Sequence, residues 1–340
     1  MRPRDSVTEG RRLFDFGSAE TGILRACFML TRSLHGGREA DDKVLSLLED
    51  SLAFLQHYKM EALVFIAHPE YRAYRDLYDL IQSVQLDVAG PLLDAWSAVA
   101  EPIYSQGTAN RDLFSGHAFG RKRDIDVVMP ESALVALRNI ARERGFRQLV
   151  FDENMRPLDA TEEAKRATLD QTPIDKEFTF SQILPLDAPG DLLELIPDVL
   201  YPLYRDDDGI KLVVSVEPTI SYAQGLDYAG LLDNTERRDG RLCVTTEASL
   251  VVNACRFYTD FKWSIFRPKI ACEIVAMATC REIDVAGLER FAQSRGLAEY
   301  LHVVRYFSAL AGRDLGPARH DLLVPELFDV FGEAELAETV

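Results

Sequence analysis

Apolar residues in the first hundred positions recur at helical spacing. Val44, Leu45, Leu47, Leu48, Leu52 and Leu55 form one stripe, and Tyr74, Leu77, Leu80 and Ile81 carry another through residues 71–86. A third helix is predicted over 89–101, with Leu92, Leu93, Trp96 and Val99 on its buried face. Gly36-Gly37 and His68-Pro69 punctuate these stretches as turns. The aliphatic and aromatic stripes are those of ordinary core packing.

From about residue 102 to 233 the period shortens. Runs of β type occur at 103–106, 125–129, 148–152, 177–184 and 211–216. One helix is predicted over 131–144, opened by Pro130-Glu131-Ser132 and stopped by Gly145. Charged residues 159–170 and the acidic run Asp206-Asp207-Asp208-Gly209 read as loops, the latter lacking EF-hand spacing. From Thr245 the helical period returns. Thr245-Thr246-Glu247 is a helix start leading into Leu250, Val251, Ala254 and Phe257, with further helices at 269–280, 285–295 and 297–310. The order predicts an α+β protein with a small mixed sheet. It would comprise an N-terminal helical segment (1–100), an α/β core (101–240) and a C-terminal helical domain (241–340).

Composition narrows the classes. In 340 residues, 47% are hydrophobic and 27% charged, which suits a globular chain with a sizeable core. The 55 acidic and 38 basic residues give a formal charge of −17, against a general nucleic-acid binder but not against a local basic pocket for one nucleotide. Five cysteines (Cys27, Cys243, Cys255, Cys272, Cys280) form no C-x-x-C pair, so neither a zinc site nor a disulfide framework is expected. The charged amino terminus lacks a signal core, and no apolar run is long enough to span a bilayer. The expectation is a cytoplasmic protein without a membrane partner.

The segment Arg121-Lys122-Arg123-Asp124-Ile125-Asp126-Val127-Val128-Met129 carries the chemistry. On a strand, Asp124 and Asp126 share one face, where paired carboxylates can hold a divalent cation and the triphosphate it carries. Arg121 and Arg123 are placed to offset phosphate charge. Acidic-x-acidic triplets are common, however, with about nine expected by chance in a chain this acidic. Context gives this one weight. Gly107-Thr108 closes the β-type run at 103–106, where a glycine lets the backbone approach a phosphate, and Asp124 lies 16 residues beyond Thr108, after a helical stretch at 109–114. His117 lies in the loop at 116–120 and reads as a surface histidine. Walker, dinucleotide-fold and H-E-x-x-H motifs are absent.

This arrangement resembles the nucleotidyltransferase superfamily related to DNA polymerase β. More narrowly, it resembles a bacterial uncharacterised nucleotidyltransferase family, through Arg121, Asp124-Ile125-Asp126, the following helix and Gly145-Phe146. The resemblance extends to Val216-Glu217-Pro218-Thr219, where the family carries an acidic residue on a later strand, and to 246–260, like its first C-terminal helix. It implies transfer of a nucleoside monophosphate from an NTP to a hydroxyl or similar group of a small molecule or protein, with release of pyrophosphate. Asp124, Asp126 and Glu217 would be the catalytic carboxylates and ligands of two Mg2+ ions, for which Mn2+ can substitute. Glu177 is a rival for the third carboxylate. Gly107, Thr108, Arg121, Arg123 and Lys262 would contact the nucleotide, with Tyr258 and Arg267 near its cleft. Gln106 and Thr219 depart from the family's usual Lys and His. They motivate two alternatives, a nucleotide-binding module without turnover and a toxin-like transferase acting on tRNA. The acidic charge favours a small-molecule acceptor over a polynucleotide. Proline at 218 predicts that the Glu217 segment is an edge strand or a strand end.

Overall fold

A computed structural model describes residues 17–36, 41–107, 110, 113, 117, 124–152, 156–196 and 199–331. Helices α1 (Ser18–Gly36), α2 (Asp42–Asp50), α3 (Leu52–His57) and α4 (Ala62–Ala67) lead through a 3-10 turn at Pro69–Tyr71 into the 26-residue α5 (Arg72–Ser97). Then follow β1 (Ile103–Tyr104), β2 (Ile125–Val128), α6 (Leu134–Glu143), β3 (Leu149–Phe151), β4 (Pro157–Asp159) and α7 (Glu162–Leu169). Next come β5 (Asp175–Lys176), β6 (Phe180–Pro185), α8 (Gly190–Leu193), β7 (Val199–Leu200), β8 (Leu203–Asp206) and β9 (Gly209–Ser221). After α9 (Tyr228–Leu232), β10 (Thr235–Arg238) and β11 (Arg241–Val244), the chain closes with α10 (Thr246–Lys262), α11 (Pro268–Cys280), α12 (Val285–Ser294), α13 (Ala298–Leu310) and α14 (Glu326–Phe331). The fold is α+β. No helix among the described residues is long and apolar enough to cross a membrane.

The chain forms two compact units rather than three consecutive parts. Residues within Met1–Ala67 join Thr245–Val340, and His68–Val244 form the other unit. The predicted 1–100 segment is therefore divided, because α5 packs against the sheet through β9 while α1 packs against α11. In the helical unit, Phe28 of α1, Phe257 of α10, Phe307 of α13 and Phe331 of α14 meet with ring centroids 5.2–5.9 Å apart. Each such buried ring contributes about 1.5–3 kcal/mol by leaving water. Thr245 caps α10 by accepting from the Ala248 amide, as its sequence predicts. Cys27, Cys255 and Cys272 are buried free thiols. Burial pushes the thiol of Cys255 up to about 11 and that of Cys272 to about 12, so both behave as small hydrophobes.

In the sheet unit, α5 runs unbroken where two helices are predicted. Its buried stripe passes through Leu77, Ile81, Gln82, Gln85, Ala89, Leu92 and Trp96, and polar Gln82 and Gln85 at core positions hide that continuity from the sequence. The main sheet has nine strands, in the path β10-β11-β1-β2-β9-β8-β7, with β5 and β6 also on β9. The run at 148–152 instead forms a separate two-stranded sheet, β3 with β4. Residues 162–169 of the predicted loop at 159–170 are helix α7, capped by the Thr161 hydroxyl. The acidic run at 206–209 is the tight turn between β8 and β9, with Gly209 at φ +115. Asp239 and Gly240, both at positive φ, close the β10–β11 hairpin, a turn signal that the apolar pattern alone overlooks.

Candidate metal centre

β2 is the apolar run Ile125–Val128, buried except at Asp126, and it begins as the chain leaves Asp124. It pairs antiparallel with β1, with Tyr104 opposite Val127, so the chain leaving β1 runs toward the Asp124 end of β2. Gly107 lies in that direction at φ +49, a left-handed conformation that a residue with a Cβ adopts only with strain. Thr108, Arg121 and Arg123, and most of the predicted helical stretch 109–114, lie outside the described residues.

β9 brings the third carboxylate. It pairs parallel with β2, with Val216 opposite Ile125 and Glu217 opposite Asp126. Carboxylate oxygens of Asp124, Asp126 and Glu217 lie within 4.8 Å of one another. The alternation Ser215, Glu217, Thr219, Ser221 on one face and Val214, Val216, Pro218, Ile220 on the other makes this a strand through its whole length. That alternation is the signal that would have carried the predicted strand at 211–216 on through Glu217.

The expectation that Pro218 marks an edge or a strand end is overturned. β9 continues to Ser221 and is paired along both edges, by β8 and β2 on one and by β6 and β5 on the other. The Pro218 carbonyl accepts from the Glu177 amide. Its missing N–H therefore faces the interval between β5 and β6, where the ladder is already interrupted and no donor is required.

Glu177, the rival, belongs elsewhere. Its Oε2 accepts from Arg138 Nη2 at 2.5 Å and its Oε1 from Gln148 Nε2 at 2.9 Å, so both oxygens serve a local network. Next to it in sequence is the residue that sequence reasoning passed over. Lys176 Nζ donates to Glu217 Oε2 at 2.5 Å, and the Thr179 hydroxyl reaches the same oxygen at 3.3 Å. Lys176 sits opposite Thr219 across the β5–β9 ladder and so shares the face that carries Glu217. Neighbouring Asp175 has its carboxyl raised above the ordinary range by burial and by the negative charge of Glu131. Burial likewise pushes the phenol of Tyr104, on β1, up to about 12.

The remaining sequence candidates have structural partners. His117 is not a plain surface residue: its Nδ1 lies 2.6 Å from Asp79 Oδ2 on α5. Lys262 lies in the helical unit, bonded to Glu299 at 2.8 Å and stacked over the Tyr258 ring at 4.7 Å. Tyr258 Oη accepts from the Val324 amide, and Arg267 pairs with Asp260 at 2.9 Å. No family model, curated protein or solved structure matches this chain.

The donor set fits a hard divalent cation. Three carboxylates supply oxygen ligands of the kind Mg2+ and Mn2+ prefer, and neither cysteine nor histidine is among them. Thr219 strengthens the fit. Its hydroxyl is fully buried on the Glu217 face and has no hydrogen-bond partner among the described residues.

Proposed function

We propose that this protein is a divalent-cation-dependent nucleotidyltransferase. It moves a nucleoside monophosphate from an NTP to a hydroxyl or similar group of a small molecule or protein and releases pyrophosphate. The observation that carries this reading is the convergence of Asp124, Asp126 and Glu217 from two adjacent parallel strands to within 4.8 Å. The resemblance of the Arg121-to-Asp126 segment to the polymerase β superfamily supplies the reaction class.

Asp124, Asp126 and Glu217 are the residues that would hold Mg2+. When bound, the cation neutralises charge on the triphosphate and favours loss of pyrophosphate. The chain's own part is positioning. The common sheet face fixes the carboxylates before substrate arrives, so their reorganisation adds little to the barrier. The left-handed turn at Gly107 keeps the backbone bare of a Cβ where a phosphate approaches. The acceptor oxygen forms its bond to the α-phosphorus as the bond to pyrophosphate breaks, and no Ser or Cys nucleophile is needed.

The test is incubation with each α-labelled NTP and Mg2+, scored for pyrophosphate release and label transfer. Loss of signal in Asp124→Asn and Asp126→Asn, with unchanged circular dichroism, supports the assignment. Full activity in both variants would sink it. A second reading, nucleotide binding without turnover, draws on the ammonium already bonded to Glu217 and on Thr219 in place of the family's usual histidine. NTP binding without transfer across a range of acceptors would favour it.

A further inference from the structure

Lys176 has no part in the resemblance, and its geometry bears on how many cations the centre takes. Its ammonium lies 2.5 Å from Glu217 Oε2, and the two side chains are only 15% and 7% exposed. An ion pair so shielded interacts far more strongly than a surface pair, and each member depends on the other for neutralisation. Among the described residues, three carboxylates against one ammonium leave two net negative charges, which a single divalent cation neutralises. Two such ions at the bare centre would leave net positive charge in a cluster with restricted access to water, an arrangement that desolvation disfavours. Glu217 Oε2 is also shared with the Thr179 hydroxyl, so this oxygen already serves two donors. The buried, unpartnered Thr219 hydroxyl on the same face is the independent sign that the cluster accommodates a ligand rather than only repelling charge.

We infer that Lys176 is a resident counter-cation of the triad, so that in the absence of nucleotide the centre binds one divalent ion rather than two, in competition with the lysine for Glu217. Lys176 is then a positioning residue. It fixes the Glu217 carboxylate and holds divalent affinity below what three bare carboxylates would give. This inference rests on the proposed metal centre and corrects the expectation of two ions for the protein alone.

The experiment is Mn2+ titration of the nucleotide-free protein, followed by electron paramagnetic resonance and calorimetry, in wild type and in Lys176→Met, Lys176→Arg and Asp126→Asn. Wild type is expected to bind one Mn2+ per chain at this centre, and Asp126→Asn to lose it. Lys176→Met is expected to bind Mn2+ at least about tenfold tighter, because removing a neighbouring unit charge relieves direct repulsion. Lys176→Arg keeps the charge and should stay within about threefold of wild type, which separates charge from mere packing. Two ions in wild type, or unchanged or weaker binding in Lys176→Met, would overturn the role of Lys176 and leave the metal centre standing. Absence of Mn2+ binding in wild type and in folded Lys176→Met alike would remove the metal centre itself, and the inference with it.

Discussion

Glu177 and Glu217 start from nearly the same physical position. Both are buried beside β9, at 7% and 5% exposure, and each has a basic partner at 2.5 Å. Their surroundings differ. Glu177 meets a guanidinium and an amide, one on each oxygen, and no second carboxylate joins it in the metal-ligand cluster. Glu217 meets one ammonium in the company of two aspartates. Burial and a short ion pair do not by themselves mark a functional residue, since the structural glutamate has both. An excess of like charge held together by the backbone distinguishes the other, because folding alone gains nothing from it.

The sharpest break between the two sites is kinetic. Asp126→Asn should lower NTP turnover about 10³-fold, equivalent to several kcal/mol of lost charge stabilisation, while the melting temperature stays level or rises. EDTA should reproduce the loss and Mg2+ reverse it. Glu177→Ala should show the reverse pattern, with turnover per folded molecule retained and stability lowered. The cost in urea unfolding is expected at about 2 kcal/mol, less than for a fully buried pair because Arg138 is 43% exposed. A Glu177 variant that lost turnover at unchanged stability would erase the distinction.

A pH series separates the sheet from the helical unit. Burial lowers His302 from its ordinary value of 6.5, aided by the positive charges of Arg305 and Arg319, and its Nδ1 accepts from the Arg319 amide. A depressed histidine gives stability that is fully present above the unfolded value and lost as pH falls through the folded one. Stability of the helical unit should therefore decline as pH drops below about 6.5, and His302→Gln, which keeps an acceptor, should flatten that decline. Hydrogen exchange of α13 against β9 amides would read the two regions separately. The smallest expected effect belongs to Thr219→Val. Replacing the unpartnered buried hydroxyl by a methyl should stabilise the fold by about 1 kcal/mol and weaken Mn2+ binding a few-fold. Unchanged binding would restrict the hydroxyl to a structural cost.

Much of the fold was legible locally. The helix starting near Glu131 and ending at Gly145, the Thr245 cap and the aspartate strand each follow from short-range rules, because caps, turns and period-2 alternation act within a few residues. What failed was nonlocal. The polar glutamines within the α5 stripe look like a break until β9 packs against them, and Pro218 looks like an edge until the β5–β6 interval removes the demand for its donor.

The sequence by itself determined the two aspartates on one strand face, the glycine turn that precedes them and the α+β character of the chain. Only the tertiary structure decided their partners. Register between β2 and β9 sets Glu217 beside Asp126, and the β5–β9 ladder delivers Lys176 from 41 residues away to the same carboxylate. The physical reason is that strand pairing is fixed by burial of whole faces across the sheet, so no local pattern records which distant charge will arrive opposite another.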